Sequence, residues 1–271
     1  MTRSTNEATS HATTTSSTAP DAERAAASRP TTALVTGANK GIGYEIAAGL
    51  GALGWSVGVG ARDDARREAA VQRLRDAGYD AFGVPLDVTD DDSVAAAAAL
   101  LEERGGLDVL VNNAGITGGM PQLPSEVSVE QLRRVLDVNV FGVVRTTGAF
   151  LPQLRRSAHP RVVNMSSGVG SLTRQAATSD PLATGPVSGA YSPSKTYLNA
   201  VTLQLVKELA QRGEQRILVN LACPGFVATD LNDFAGVRSP QEGAQVAIRL
   251  ATLPDDGPTG GYFEDAGPIP W

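Results

Sequence analysis

The stretch "GAYSPSKTYLN", residues 189–199, carries two chemistries in one short run. Ser192 and Lys195 form S-x-x-K, the nucleophile spacing of serine acyl-enzymes. Tyr191 and Lys195 form Y-x-x-x-K, which on a helix sets a phenol and an ammonium on the same face, one turn apart. A free tyrosine has a pKa of about 10, and a nearby cation commonly lowers it by ~1–3. Such a phenol is expected to serve as a general acid–base. The acyl-enzyme reading also needs S-D-N and K-T-G. Here Ser179–Asp180 runs into Pro181, Lys195–Thr196 into Tyr197, and Lys207 into Glu208. The acyl-enzyme reading fails, and the Tyr–Lys pair remains.

Other chemistries are scarce. The single cysteine, Cys223, excludes an internal disulfide, and with no histidine near it reads as a packed small residue. His11 and His159 are too few and too far apart in sequence for a zinc or Ser-His-Asp centre, so no metal is expected. A formal charge of −6 argues against nucleic acid as a partner. No run approaches the ~18 apolar residues of a membrane span. A reducing cytoplasm is the expected compartment. Eleven of the first twenty residues are Ser or Thr, so residues 1–30 read as a disordered tail without the apolar core of a secretory signal. Residues 31–271 read as one domain.

The chemistry needs elements to position it. "TALVT" (32–36), "WSVGVG" (55–60), "AFGVPL" (81–86), "LDVLV" (107–111), "RVVNMS" (161–166), "RILVNLA" (216–222) and "GGYF" (260–263) read as strands. Most are continuously apolar, as strands covered on both faces should be. Helical patterns fall near 42–53, 64–77, 90–104, 127–156, 191–212 and 239–253. Thr89 or Asp90 suits the cap of the third, and Ser239–Pro240 that of the last. This alternation predicts an α/β fold: a Rossmann-type doubly wound sheet of about seven mainly parallel strands with helices on both faces. Ligands of such sheets sit beyond the carboxyl ends of the strands.

The first strand runs into "TGANKGIG" (36–43) and then a helix. Gly37, Gly41 and Gly43 permit a tight turn and close approach of backbone to a pyrophosphate, which the helix start would bind. The spacing G-x-x-x-G-x-G resembles that of the short-chain dehydrogenase/reductase family. The resemblance continues through "LDV" (86–88), "NNAG" (112–115), Asn139 in "LDVNVFG", "NMSS" (164–167), "YSPSK" (191–195) and "CPGFVATD" (223–230). "GARDDARRE" and the late "SPQEGA" look most like its carbonyl reductase branch.

That resemblance implies NADP(H) as cofactor, with the pyrophosphate on the glycine loop, including Ile42. Asp87 and Val88 would lie beside the adenine, and Asn113, Ala114 and Gly115 along the cofactor. Pro224, Gly225, Val227 and Thr229 would lie near the nicotinamide, and Lys195 on its ribose. Residues speak to the choice of nicotinamide as well. Ala61 stands where an NAD enzyme's ribose-binding acid is expected, and Arg62 follows. Asp63 has about the right spacing for that acid, ~20 residues on, yet with Asp64 it precedes a helix and suits a cap. The resemblance gives Asn39, Lys40, Arg62 and Arg66 to a 2′-phosphate; solvated surface charge is the plainer reading. Lys40 is one of only three lysines among 23 basic residues, which weighs against that for this position.

By the same resemblance Ser167 holds the substrate oxygen, with Ser166 as the neighbouring alternative. Asn139, a poor residue for a helix interior, distorts its helix and holds a water that links Lys195 to solvent. A satisfied buried amide is the alternative. The expected activity is reduction of a ketone or aldehyde, Tyr191 protonating oxygen. The same groups suit an alcohol dehydrogenase or a 3-oxoacyl-thioester reductase, and a non-catalytic NADPH sensor is the competing class. Ser167 and Tyr191 are 24 positions apart, and the segment "TRQAATSDPLATGPVSG" between them reads as a loop over the substrate mouth. Lying beside the helices through which relatives form tetramers, it favours a monomer or homodimer.

Overall fold

The computed structural model describes residues 1–2 and 29–271. The expected tail, with His11, lies outside the described residues. Thr31–Trp271 forms one compact unit, and no described helix is long and apolar enough to cross a membrane.

The strands are β1 (Thr32–Thr36), β2 (Ser56–Ala61), β3 (Ala81–Pro85), β4 (Val109–Asn112), β5 (Arg161–Met165), β6 (Leu218–Ala222), β7 (Tyr262–Glu264) and β8 (Gly267–Pro268). They form one sheet in the order β3-β2-β1-β4-β5-β6-β7-β8, parallel except for the last pair. The two-residue β8, unanticipated in the sequence, turns back on β7. Because β1 pairs with both β2 and β4, the chain reverses direction across the sheet there, opening a crevice at the strand ends.

Helices cover both faces: α1 (Gly41–Ala52), α2 (Asp64–Asp76), α3 (Asp91–Glu103), α4 (Val129–Leu136), α5 (Gly142–Leu154), α6 (Leu172–Ala176), α7 (Pro181–Thr184), α8 (Tyr191–Gln211) and α9 (Pro240–Ala251). Side chains alternate in direction along a strand. Ala33 and Val35 therefore pack with Ile46, Leu50, Leu74 and Leu250 on one face, while Leu34 joins Leu101, Phe150 and Leu154 on the other. Asp63 caps α2, Asp90 rather than Thr89 caps α3, and Ser239 with Glu242 forms a reciprocal capping box on α9.

Two expectations change. The continuous helix over 127–156 is divided by a π turn at Asp137–Phe141. The 173–189 segment is no plain loop, for it holds most of α6 and all of α7. Ser171 caps α6, while Asp180 caps α7 with Pro181 at its first position, so each short helix carries its own start signal.

A buried polar network ties the sheet to its helices below the crevice. Asn112 donates to Asn164 (2.9 Å) and Thr147 (3.1 Å) and accepts from Thr146 (2.7 Å); Asn164 then donates to Thr202 (2.9 Å). These partners draw on β4, β5, α5 and α8, and buried polar groups so matched fix one packing arrangement.

Candidate active site

The glycine loop leaves β1 through residues that only glycine suits. Gly37 and Gly41 have φ of 66° and 56°. A Cβ at Gly37 would stand 2.9 Å from the Ala114 Cα, so this loop and the "NNAG" turn are in direct backbone contact. Thr36 Oγ1 accepts from the Asn113 and Ala114 amides, both at 3.0 Å, while Asn113 Nδ2 donates back to the Thr36 carbonyl at 2.9 Å. The Asn113 side chain thus braces the loop. No side chain caps α1, which leaves its first amides available to an anion.

Above this loop lies a cavity of about 810 Å³. Gly37, Asn39, Lys40, Gly41, Ile42 and Gly43 line its floor. Arg62, Arg66, Asp87 and Val88 stand at one end, and Asn113, Ala114, Gly115, Tyr191, Lys195, Pro224 and Thr229 towards the other. Gly225 and Val227 do not line it. A Cβ on Gly225 (φ 77°) would meet Arg238, and Val227 packs on Gly243 of α9.

The basic end is weakly restrained. The side chains of Arg62 and Arg66 are 75% and 66% exposed, with carboxylates at 3.9 Å (Asp87) and 3.7 Å (Asp63). Lys40 pairs with Asp230 from the loop after β6. Burial pushes the Asp87 carboxyl up, but hydrogen bonds from the Thr89 amide and hydroxyl, with the Arg62 charge, outweigh it and leave it below the usual range.

At the other end α8 starts with Tyr191. Its N-terminus has no cap of its own; Gln122 supplies one from the loop after β4. Gln122 Oε1 accepts from the Ser188 hydroxyl (2.8 Å) and the Ala190 and Tyr191 amides (both 3.1 Å). Its Nε2 donates to the Thr117 (2.5 Å) and Gly119 (2.8 Å) carbonyls. Gln122 is 1% exposed, so this amide clamps the cavity wall to the start of α8.

Tyr191 and Lys195 do share a face: the ammonium lies 5.7 Å from the centre of the tyrosine ring and donates to the Met165 carbonyl at 2.8 Å. The two serines divide their roles: Ser166, and not Ser167, lines the cavity. Ser167 lies beside the Tyr191 phenol and favours its charged form, whereas Ser166 Oγ donates to Asn199 at 2.6 Å. Tyr262 donates its hydroxyl to the Ser167 carbonyl, fixing that residue from behind. Asn139 sits inside the π turn, fully buried. Its amide spans the Ile116 peptide, accepting from N–H and donating to C=O, both at 2.9 Å, and donates to Ser194 Oγ at 3.0 Å. Ser194 in turn donates to the Tyr191 carbonyl at 2.6 Å. The buried amide is therefore satisfied, and the helix widens to let it reach.

The expected lowering of the phenol by the ammonium is not found. Burial pushes Tyr191 up to about 12, the neighbouring Ser167 offsetting only part, and burial brings Lys195 down to about 8. Desolvation dominates because Lys195 is buried and Tyr191 is enclosed in the cavity wall. Cys223 is buried and its thiol is pushed up, mainly by burial, which suits packing and not nucleophilic attack.

Gln122, Ser194, Tyr262 and Asp230 were not singled out in the sequence. Asp230 lies within the quoted "CPGFVATD", but its partner is 190 positions away. For Gln122 no local pattern signals the role. The donor set suits a phosphorylated dinucleotide: glycine backbone and an uncapped helix start in the middle, three cations at one end, a phenol and an ammonium at the other.

Comparison with known proteins places the chain in a family. Residues 31–237 match the family model described as short chain dehydrogenase. Carbonyl reductase [NADPH] 1 of Mus musculus is 34% identical, the match covering 90% of this chain and 99% of the relative. Short-chain dehydrogenase anuI of Penicillium roqueforti is 36% identical over 81% of this chain and 87% of its own. The solved structure of salutaridine reductase from Papaver somniferum superposes with a TM-score of 0.74 at 30% identity, over 87% of this chain and 99% of that one. The chain belongs to the short-chain dehydrogenase/reductase family of oxidoreductases, on its carbonyl reductase-like branch.

Proposed function

We propose that this enzyme reduces a ketone or aldehyde to an alcohol with NADPH, Tyr191 giving the proton. One observation carries the reading: a phenol beside Ser167, with an ammonium on the same helix face, opens into the cavity floored by the glycine loop. When bound, the nicotinamide supplies the hydride. The protein's part is alignment and the proton. Gly37, Gly41, Ile42 and Gly43 would hold the pyrophosphate, with Asn39, Lys40, Arg62 and Arg66 on the 2′-phosphate. Asp87, Val88, Ala114, Gly115, Pro224 and Thr229 would line the remainder.

Ser167 and Tyr191 would hold the carbonyl oxygen between two hydroxyl donors, meeting charge as it develops there. Lys195 would keep positive charge behind the phenol. Asn139, Ser194 and Gln122 position that pair without touching substrate. A phenol pushed up to about 12 stays protonated at neutral pH and so can give a proton to the substrate oxygen; the same group serves the reverse, alcohol dehydrogenase direction. The names of the mouse relative and of a gluconate 5-dehydrogenase solved with NADP, 27% identical, support the phosphorylated cofactor. A monomer or homodimer, checked by light scattering, completes the reading; a stable tetramer contradicts it.

The test is a panel of ketones, aldehydes and quinones with purified protein, followed by loss of nicotinamide absorbance. NADPH is expected to be consumed with at least one carbonyl, at an efficiency roughly tenfold or more above NADH, as charge-assisted contacts imply. Equal efficiency with both nicotinamides overturns the cofactor assignment. A flat response with tight NADPH binding replaces the enzyme with a sensor.

A further inference from the structure

Each cation at the basic end of the cavity already has a carboxylate, but the three carboxylates are not equivalent. Asp63 also caps α2, accepting from the Arg66 amide at 2.9 Å. Asp87 accepts from the amide and hydroxyl of Thr89 at 2.9 and 2.7 Å. Both keep strong donors whatever their arginines do. Among the described residues the Asp230 carboxylate bonds Lys40 alone, and it reaches Lys40 from the flap that follows β6.

The backbone aims it there. Thr229 and Asn232 reciprocally cap the short turn Asp230–Asn232, and Asp233 and Phe234 follow in the left-handed region at φ of 51° and 61°. The flap lies on the glycine loop itself, for a Cβ at Gly41 would stand 3.5 Å from the Thr229 methyl. Lys40, Arg66 and Asp230 also line a smaller hollow of about 350 Å³ beside the main cavity, with Arg73 on its wall. The Arg73 guanidinium lies 4.1 Å from the centre of the Tyr44 ring, which holds it in place. Among the described residues the flap therefore supplies the sole carboxylate lining this basic hollow.

We propose that Asp230 is a specificity-determining residue that competes with the cofactor's 2′-phosphate for Lys40. The inference rests on the assignment of Lys40 to that phosphate made above. The two side chains are 52% and 48% exposed, and an ion pair so exposed is worth little. A phosphate, with more charge than a carboxylate and with Arg62 and Arg66 to hand, displaces it, at the cost of leaving Asp230 beside a second anion. A cofactor without that phosphate leaves the pair closed. Asp230 thus weakens the phosphorylated form selectively, and tunes how strongly the site distinguishes the two.

Calorimetric binding of adenosine 2′,5′-bisphosphate and adenosine 5′-monophosphate tests this without turnover. The proteins are the full chain, Asp230→Asn, Lys40→Met and the double variant; Asp230→Asn keeps the volume of a half-exposed side chain. Asp230→Asn is expected to tighten the bisphosphate about 3- to 10-fold, less as salt rises, as the worth of one near-surface charge implies. Monophosphate binding stays unchanged, and the gain disappears in the Lys40→Met background. Unchanged or weaker bisphosphate binding by Asp230→Asn, with Lys40→Met still costing affinity, overturns the competition and makes the pair a latch over the ligand. If Lys40→Met itself leaves bisphosphate binding intact, the assignment of Lys40 has failed, and the inference falls with it.

Discussion

The glycine loop and the segment Leu172–Thr184, expected from the sequence to cover the substrate mouth, are held in different ways. Gly37–Gly43 is fixed by backbone conformation and by Thr36 and Asn113, side chains at the ends of adjacent strands. The Leu172–Thr184 segment is fixed mainly by polar side chains, with one backbone bond, reaching across the molecule. Ser171 Oγ donates to the Pro270 carbonyl at 2.6 Å, the Thr173 amide donates to the Trp271 carbonyl at 2.8 Å, and Arg174 pairs with Asp180 at 2.9 Å and Glu264 at 3.3 Å. A backbone cradle tolerates almost no substitution and suits a constant partner. A scaffold of side-chain contacts can be rebuilt one residue at a time.

Between these regions stands the Tyr191–Lys195 pair, and perturbing it should have the larger effect. Lys195→Met is expected to lower kcat by about 10²–10³-fold, in the range of general acid–base contributions. The wild-type enzyme should show kcat/KM for NADPH level at low pH and falling as pH rises through about 8, where Lys195 loses its proton; Tyr191, near 12, stays protonated throughout. A flat profile to pH 10 contradicts a charged Lys195 in the reaction.

Gln122→Ala comes next. It releases the amides that start α8, and misplacing the phenol is expected to cost roughly 10- to 100-fold in kcat. NADPH affinity should hold, since the glycine loop is braced elsewhere. Equal losses in affinity and kcat would reduce Gln122 to a general packing residue. Arg174→Ala should matter least: about 1 kcal/mol of stability, read by thermal unfolding, because its pairs are only partly buried. Faster proteolytic cleavage within 171–185 should accompany it. An unaltered cleavage rate would show that the segment is not held by this residue.

What could be read in the sequence follows the same division. The glycine loop and Y-x-x-x-K declare themselves within a few residues, because turn conformation and helical spacing are local. The helix caps Asp63, Asp90 and Ser239 are local too. The π turn is not, for it depends on Asn139 reaching the Ile116 peptide 23 positions away. Gln122 caps a helix 69 positions on, and no spacing rule covers that distance. The short helices α6 and α7 had legible caps in Ser171 and Asp180–Pro181, but the Gly, Pro, Ser and Thr around them hid so few helical residues. The phenol was misjudged for a different reason: Y-x-x-x-K reveals the cation, while burial, which outweighs it, belongs to the tertiary structure.

The most direct test compares Tyr191→Phe with the wild type, measuring NADPH binding and carbonyl-dependent NADPH oxidation on the same preparations. The variant is expected to bind NADPH as the wild type does and to lose at least about 10³-fold in turnover, the proton donor being gone. Near-normal oxidation by Tyr191→Phe would contradict the assignment of the proton to this phenol.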